Sequence, residues 1–259
     1  MQLSPYSIQK VSVLLPTYNE VGNIADLIED IHSALQHPHE IIVVDDNSPD
    51  GTSDLVQSII SRGDIPGLRL ETRVRDRGLT KSIWRGIELA TGDTVVWMDC
   101  DFSMPPAVIP KLLAKAEEGY DIAVGSRFVS GGNQKQHAAG ESRLAILLSS
   151  VLNVCLRLLL HFRFHDYTSG FIAIRRDMFQ EIKLKGDYGE YFIDLIFRAI
   201  LLGHSVVEIP YDCESRRSGE SKTAPNIRIL LKRGVKYLFV VLKMQVIRVK
   251  HLLGLRITD

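Results

Sequence analysis

Val95-Val96-Trp97-Met98-Asp99-Cys100-Asp101 is the stretch on which the fold turns. Four apolar residues read as a buried strand and deliver two carboxylates, at i and i+2. Along a strand that spacing sends side chains to opposite faces. Asp99 and Asp101 can converge only if the chain bends there, and Pro105-Pro106 just beyond argues that it does. Two hard oxygen ligands with open positions suit Mg²⁺ or Mn²⁺ carrying a substrate's phosphates. An Asp-x-Asp alone is weak evidence and more often marks a solvated turn, so its neighbours must decide.

Upstream, strand and helix patterns alternate. Val11 to Leu15 is an apolar run closed by Pro16, and Asn23 to Leu35 has helical spacing. Glu40 to Val44 reads as a second strand, ending in a turn from Asp45 to Gly51 that also caps a helix near Thr52 to Ser61. Leu68 to Thr72, Thr94 to Met98 and Ile122 to Val124 are further strands; Leu79 to Ala90 and Pro106 to Glu118 are the helices between them. Such alternation predicts an α/β fold, a mainly parallel Rossmann-like sheet covered on both faces. Ligands of such sheets sit beyond the carboxyl ends of the strands. Thr17 to Glu20, Asp45 to Asp50 and Asp99 to Ser103 all follow strands and should therefore line one crevice. The second half is less regular. It carries helices over Ser142 to His161 and Tyr191 to Leu202, strands over Tyr167 to Ile174 and Ser205 to Pro210, and a basic helical pattern from Asn226 onward.

The balance of 31 basic and 31 acidic residues gives no global attraction to nucleic acid. From Ser221 to Thr258, however, there is no Asp or Glu among many Lys and Arg, which points to an acidic partner. The three scattered cysteines have no metal spacing and read as reduced thiols. The start is not a signal peptide. No apolar run is long enough to span a bilayer; the nearest, Leu144 to Leu160, is interrupted by Asn153 and Arg157. The charge asymmetry sets a basic amphipathic segment, 223–259, apart from the domain expected over 1–222.

Pro16-Thr17-Tyr18-Asn19-Glu20, Val43 to Thr52 and Asp99-Cys100-Asp101 together resemble the inverting family 2 glycosyltransferases. Gly125-Ser126-Arg127 and Arg216 to Lys222 are similar to the dolichyl- and polyprenyl-phosphate mannose synthases among them. The resemblance runs from about Val11 to Lys222 and implies a nucleotide-diphosphate-sugar (GT-A type) fold. It implies nucleoside contacts at Pro16, Tyr18, Glu20, Val44 and Asp46, with Asp50 read instead as a helix cap. Asp99 and Asp101 match the metal pair, Cys100 stands where relatives usually carry Ala, and Ser103 matches a weaker third metal contact. Arg216 and Lys222, flanking Gly219, would cover the donor diphosphate; Arg127 and Arg143 match arginines that take the acceptor phosphate.

The implied reaction moves a hexosyl group, mannose from GDP-mannose favoured over a UDP-hexose, onto dolichyl or polyprenyl phosphate with inversion. The catalytic set is Asp101, Arg127 and Asp194. Asp194 matches the position of a general base; a phosphate nucleophile needs none, because its second pKa lies near 6, which leaves Asp194 as an orienting group or a polar helix position. Two departures leave the donor open: Ile172 follows Ser169-Gly170-Phe171 where mannose synthases usually carry arginine, and Asn133 to Glu141 is unlike theirs. A hydrocarbon acceptor requires contact with a bilayer, placing the chain peripherally on the cytoplasmic face of a membrane. Three arrangements are open to the basic segment: lying in the headgroup layer, packing on the domain with its basic face in water, or docking to a small membrane subunit. A transfer to a sugar hydroxyl, a non-catalytic nucleotide-sugar binder and a nucleotidyltransferase are the competing classes. The last lacks a glycine-rich, lysine-bearing phosphate loop near the start of the chain.

Overall fold

The computed structural model describes residues 3–133, 143–218 and 227–255, with the backbone alone over 143–149 and 227–235. Seven strands form one sheet: β1 (Val11–Thr17), β2 (His39–Asp45), β3 (Leu68–Thr72), β4 (Thr94–Trp97), β5 (Ile122–Ser126), β6 (Ile172–Arg175) and β7 (Val206–Pro210). The helices are α1 (Ile24–Ala34), α2 (Thr52–Arg62), α3 (Leu79–Leu89), α4 (Ile109–Glu117), α5 (Arg143–Leu159), α6 (Glu190–Leu201) and α7 (Ile227–Leu252).

The strands are apolar nearly throughout because both faces are covered. Val13 and Leu15 of β1 point into the core under α1, α2 and α4; Leu14 points into the other, shared with α3, α5, α6 and α7. In β2, Val43 and Val44 divide in the same way. The strand order is β3-β2-β1-β4-β6-β5-β7. β1 has β2 on one side and β4 on the other, both parallel, so the chain reverses its direction of travel across the sheet there. That reversal opens a crevice at the carboxyl ends of β1 and β4.

The sheet departs from the expected pattern in its second half. β6 runs antiparallel between β4 and β5, so β5 is not the direct neighbour of β4. Apolar periodicity encodes burial and carries no strand direction. β6 is also shorter than the pattern from Tyr167 suggests: Tyr167 to Phe171 lies outside the strand, with Gly170 at φ 75° supplying a conformation that residues with a Cβ rarely adopt.

α7 is not a detached tail. Val241 and Met244 are buried in the core it shares with α6. Three of its basic side chains reach back to the domain while keeping part of their surface in solvent: Lys236 meets Asp187 at 2.7 Å, Lys243 meets Asp194 at 3.0 Å, and Arg248 donates to the carbonyl of Leu159 at 3.1 Å. Outward it shows Leu238, Phe239, Leu242, Val246, Val249 and Leu252. Val151, Val154, Leu158 and Phe162 are likewise exposed on and just after α5. The outer surface of α7 thus carries exposed apolar side chains beside Lys243 and Lys250. No helix among the described residues is long and apolar enough to cross a membrane.

Candidate active site

Three strand ends build the crevice, and each turns through a left-handed residue: Asn19 after β1 (φ 56°), Asn47 after β2 (φ 56°) and Phe102 after β4 (φ 69°). Asparagine tolerates that conformation; phenylalanine does so at a cost. Phe102 is held there by its own burial, 1% exposed, and by the Arg217 guanidinium 3.6 Å above its ring. β4 ends at Trp97, so Asp99 and Asp101 already lie on the turn and are free of the alternation of a strand. Leaving the strand at Trp97 frees the i, i+2 pair from facing opposite ways, and the Asp101 charge is felt at Asp99.

Asp101 Oδ1 accepts the N–H of Ser103 at 3.0 Å, and Oδ2 pairs with Arg216 Nη2 at 2.6 Å. Arg216 Nη1 lies 3.5 Å from Glu20 Oε1 without hydrogen-bonding geometry, so this buried donor is left without a bond among the described residues. Glu20 also accepts from Asn23 Nδ2 at 2.8 Å. The segment bearing Arg216 lies along the turn: Glu214 N donates to Ser103 O at 3.1 Å, and Arg217 N to Asp101 O at 3.2 Å. Asp99 opens to solvent at the crevice, yet protein crowds its carboxyl on the other sides. That crowding first, and the charge of Asp101 next, push its pKa up to about 7, against the pull of Arg216 and Arg127.

Two carboxylates whose mutual repulsion raises a pKa are a donor set short of positive charge. A hard divalent cation fits it, with phosphate oxygens completing the coordination. Among the described residues no cluster of three or more His, Cys, Asp or Glu forms a fuller cage.

Arg127, after β5, is gripped by one carboxylate. Its N and Nε donate to Asp166 Oδ2 at 3.0 and 2.9 Å, and Nη2 to Oδ1 at 2.8 Å and to Thr168 Oγ1 at 2.9 Å. Burial alone would lower the guanidinium's pKa; the adjoining Asp166 charge outweighs it and raises it, so Arg127 stays cationic. Asp166 is fixed in turn by Glu208 of β7, which accepts the N–H groups of His165 at 2.8 Å and Asp166 at 3.0 Å. Neither Asp166 nor Glu208 was expected. Asp166-x-Thr168 followed by Ser169-Gly170 does carry the signal of an Asx turn, and Asp166 Oδ1 indeed accepts Thr168 N at 3.3 Å.

Other expected site residues fall elsewhere. Asp46 is braced by Gly78 N at 2.6 Å, Ser82 Oγ at 2.8 Å and Arg73 Nη1 at 3.1 Å, so its carboxylate organises the start of α3 and is not open for a base edge. The Val44 side chain is core, 1% exposed, leaving only its backbone to meet a ligand. Cys100 is buried, its thiol 3.5 Å from Pro16 O. Pro16 is half-buried and Tyr18 is exposed at the β1 end. Asp50 accepts from Thr52 N at 3.0 Å, the cap expected of it. Asp194 is 1% exposed; Oδ2 accepts Arg198 Nε at 2.6 Å and Oδ1 accepts Lys243 Nζ at 3.0 Å. Both its oxygens are taken within the α6–α7 layer, so it presents no base to the crevice. Lys222 and the Arg143 side chain lie outside the described residues.

The chain matches the family model of glycosyl transferase family 2 over residues 12–183. It is 36% identical to a dolichol-phosphate mannosyltransferase of Pyrococcus furiosus over 82% of this chain and 59% of that one. It is 37% identical to a polyprenol monophosphomannose synthase of Mycolicibacterium smegmatis over 85% of this chain and 83% of that one. The chain therefore spans under two thirds of the archaeal relative's length. In fold it is similar, at a TM-score of 0.68 and 20% identity, to glucosyl-3-phosphoglycerate synthase from Mycobacterium tuberculosis in complex with Mn²⁺, UDP-glucose and phosphoglyceric acid, over 91% of this chain and 79% of that one. The match from β1 to beyond β6 takes in the crevice carboxylates, and with it the chain belongs to glycosyl transferase family 2.

Proposed function

We propose that the chain transfers a hexosyl group, mannose from GDP-mannose in the favoured case, to dolichyl or polyprenyl phosphate with inversion at the anomeric carbon. The observation that carries this is the cationic wall around Asp99 and Asp101: Arg216 paired to Asp101 and Arg127 close enough to lower the Asp99 pKa. The names of the two sequence relatives support the same class.

Asp99 and Asp101, with Ser103, would hold Mg²⁺ or Mn²⁺, which supplies charge neutralisation to the donor diphosphate when bound. Arg216 is already among the carboxylates, and its unbonded Nη1 is suited to diphosphate oxygens. Glu20 and Tyr18 lie at the β1 end, where a nucleoside would lodge. Arg127 orients the acceptor phosphate. That phosphate is ionised at neutral pH, so its oxygen attacks without a general base, in line with the departing diphosphate. The engagement of both Asp194 oxygens favours this acceptor over a sugar hydroxyl, which would need a base. The exposed aliphatic side chains of α5 and α7 suit a peripheral position on the cytoplasmic face of a membrane, against lipid or a small membrane subunit.

The test is incubation of the purified chain and Mg²⁺ or Mn²⁺ with dolichyl phosphate and labelled GDP-mannose or UDP-glucose. An inverted glycolipid product, lost on chelation, is expected. No glycolipid from any common nucleotide sugar overturns the proposal.

A further inference from the structure

Asn153 interrupts the apolar run of α5 on the helix's inward face, in line with the buried Leu156 and Leu160. A buried amide that breaks such a run requires partners. Its Oδ1 accepts the backbone N–H of Tyr167 at 2.9 Å. That bond fixes which way the amide is turned, since the reverse would set an NH₂ against an N–H. Nδ2 therefore faces Thr168 and donates to its Oγ1 at 2.9 Å.

Thr168 Oγ1 also accepts Arg127 Nη2 at 2.9 Å. A hydroxyl has two lone pairs and one proton. Both lone pairs are now taken, so the proton points to the remaining neighbour, Asp166 Oδ1, at 3.3 Å. Every bond in this small network runs in one direction. Tyr167 N–H orients Asn153, Asn153 anchors the Thr168 hydroxyl, and that hydroxyl accepts from Arg127.

The geometry points to Asn153 as a positioning residue for Arg127, acting through the Thr168 hydroxyl. This rests on the reading of Arg127 as the acceptor-phosphate arginine. Without the Asn153 donor, the Thr168 hydroxyl loses its tie to α5, and the acceptor that Arg127 Nη2 bonds is held by the longer contact to Asp166 Oδ1. The same amide fixes α5, whose outer side exposes Val151, Val154 and Leu158, against the loop that holds Arg127. Surface for a hydrocarbon tail and cation for its phosphate are thereby held at one spacing.

Calorimetry on the full chain tests this, with citronellyl phosphate, a short water-soluble isoprenoid phosphate monoester, as the acceptor probe and GDP as the control. Thr168→Val and Asn153→Leu are expected to weaken citronellyl phosphate binding about tenfold, the scale of one charge-assisted hydrogen bond. GDP binding should be unchanged, and Thr168→Ser should restore the acceptor affinity. Should Asn153→Leu fail to fold, Thr168→Val carries the measurement. If Arg127→Ala loses the probe while Thr168→Val or a folded Asn153→Leu keeps it, this inference alone is overturned. If wild type does not bind the probe, or Arg127→Ala binds it equally well, the Arg127 reading falls and this inference with it. Parallel loss of GDP and probe in Thr168→Val would mark general structural support and also overturn it.

Discussion

Two aspartate–arginine pairs lie in two regions of this molecule. At the crevice, Asp101 meets Arg216 at 2.6 Å; the partners sit on separate loops and keep 10% and 18% of their side-chain surface exposed. In the α6 layer, Asp194 meets Arg198 one helical turn away, and each keeps 1%. The chemistry is the same and the consequence opposite. A pair between two loops with water at hand can exchange one partner for a ligand at small cost. A pair inside one packed helix resists exchange, because a ligand would have to enter the core and removing either partner weakens the compensation of a buried charge. The difference separates a site from a strut, and mutations can sharpen it.

Asp101→Ala should show the largest effect on rate. Losing one of two metal carboxylates forfeits several kcal/mol of charge stabilisation, so kcat should fall roughly 10³-fold or more. The thermal midpoint should stay near that of wild type. Glycolipid formation and a thermal melt on the same sample check this; a large drop in the midpoint would place Asp101 with the struts.

Asp194→Ala should do the reverse. Stranding Arg198 should cost about 3–5 kcal/mol of stability, lowering the midpoint by roughly 10 °C, while the folded protein keeps its turnover. A collapse of kcat at unchanged midpoint would return Asp194 to catalysis.

Glu40 offers a third carboxylate, at the amino end of β2, far along the strand from the crevice. Burial alone would raise its pKa, but hydrogen bonds from Ser12 Oγ, Thr91 N and Oγ1, and Arg69 hold it at about 2 against an ordinary 4.5. A depressed carboxyl stabilises the fold fully above the unfolded value, and that contribution disappears as pH falls through the folded one. The shift corresponds to about 3 kcal/mol. Glu40→Gln should therefore be less stable than wild type by about that amount at pH 7, with the gap closing between 4.5 and 2. Denaturant midpoints across that range check it, and a gap that persists at the acid end would refute the assignment.

Much of the crevice is legible in the sequence. Thr17 to Glu20, Asp45 to Asp50 and Asp99 to Ser103 do meet at adjacent strand ends, because a parallel strand fixes where its following loop emerges. Asp46 was legible as a crevice position but not as a brace, since Arg73, Ser82 and Gly78 reach it across the fold. The grip of Asp166 on Arg127 was missed for the same reason: a bidentate pair leaves no periodic trace in a chain.

The elements, the α/β alternation, the bend after β4 and the family are readable from the chain. Those follow from local rules: apolar period, caps, and glycine or proline at turns. Long-range packing settled that β6 inserts antiparallel beside β4, that Asp194 is spent on Arg198 and Lys243, and that α7 ties Lys236 and Lys243 to acidic groups of the domain while exposing aliphatic side chains. Each depends on which distant group arrives opposite. A charged residue reads as surface until a buried partner of the other sign is found for it, and only the folded chain brings that partner within reach.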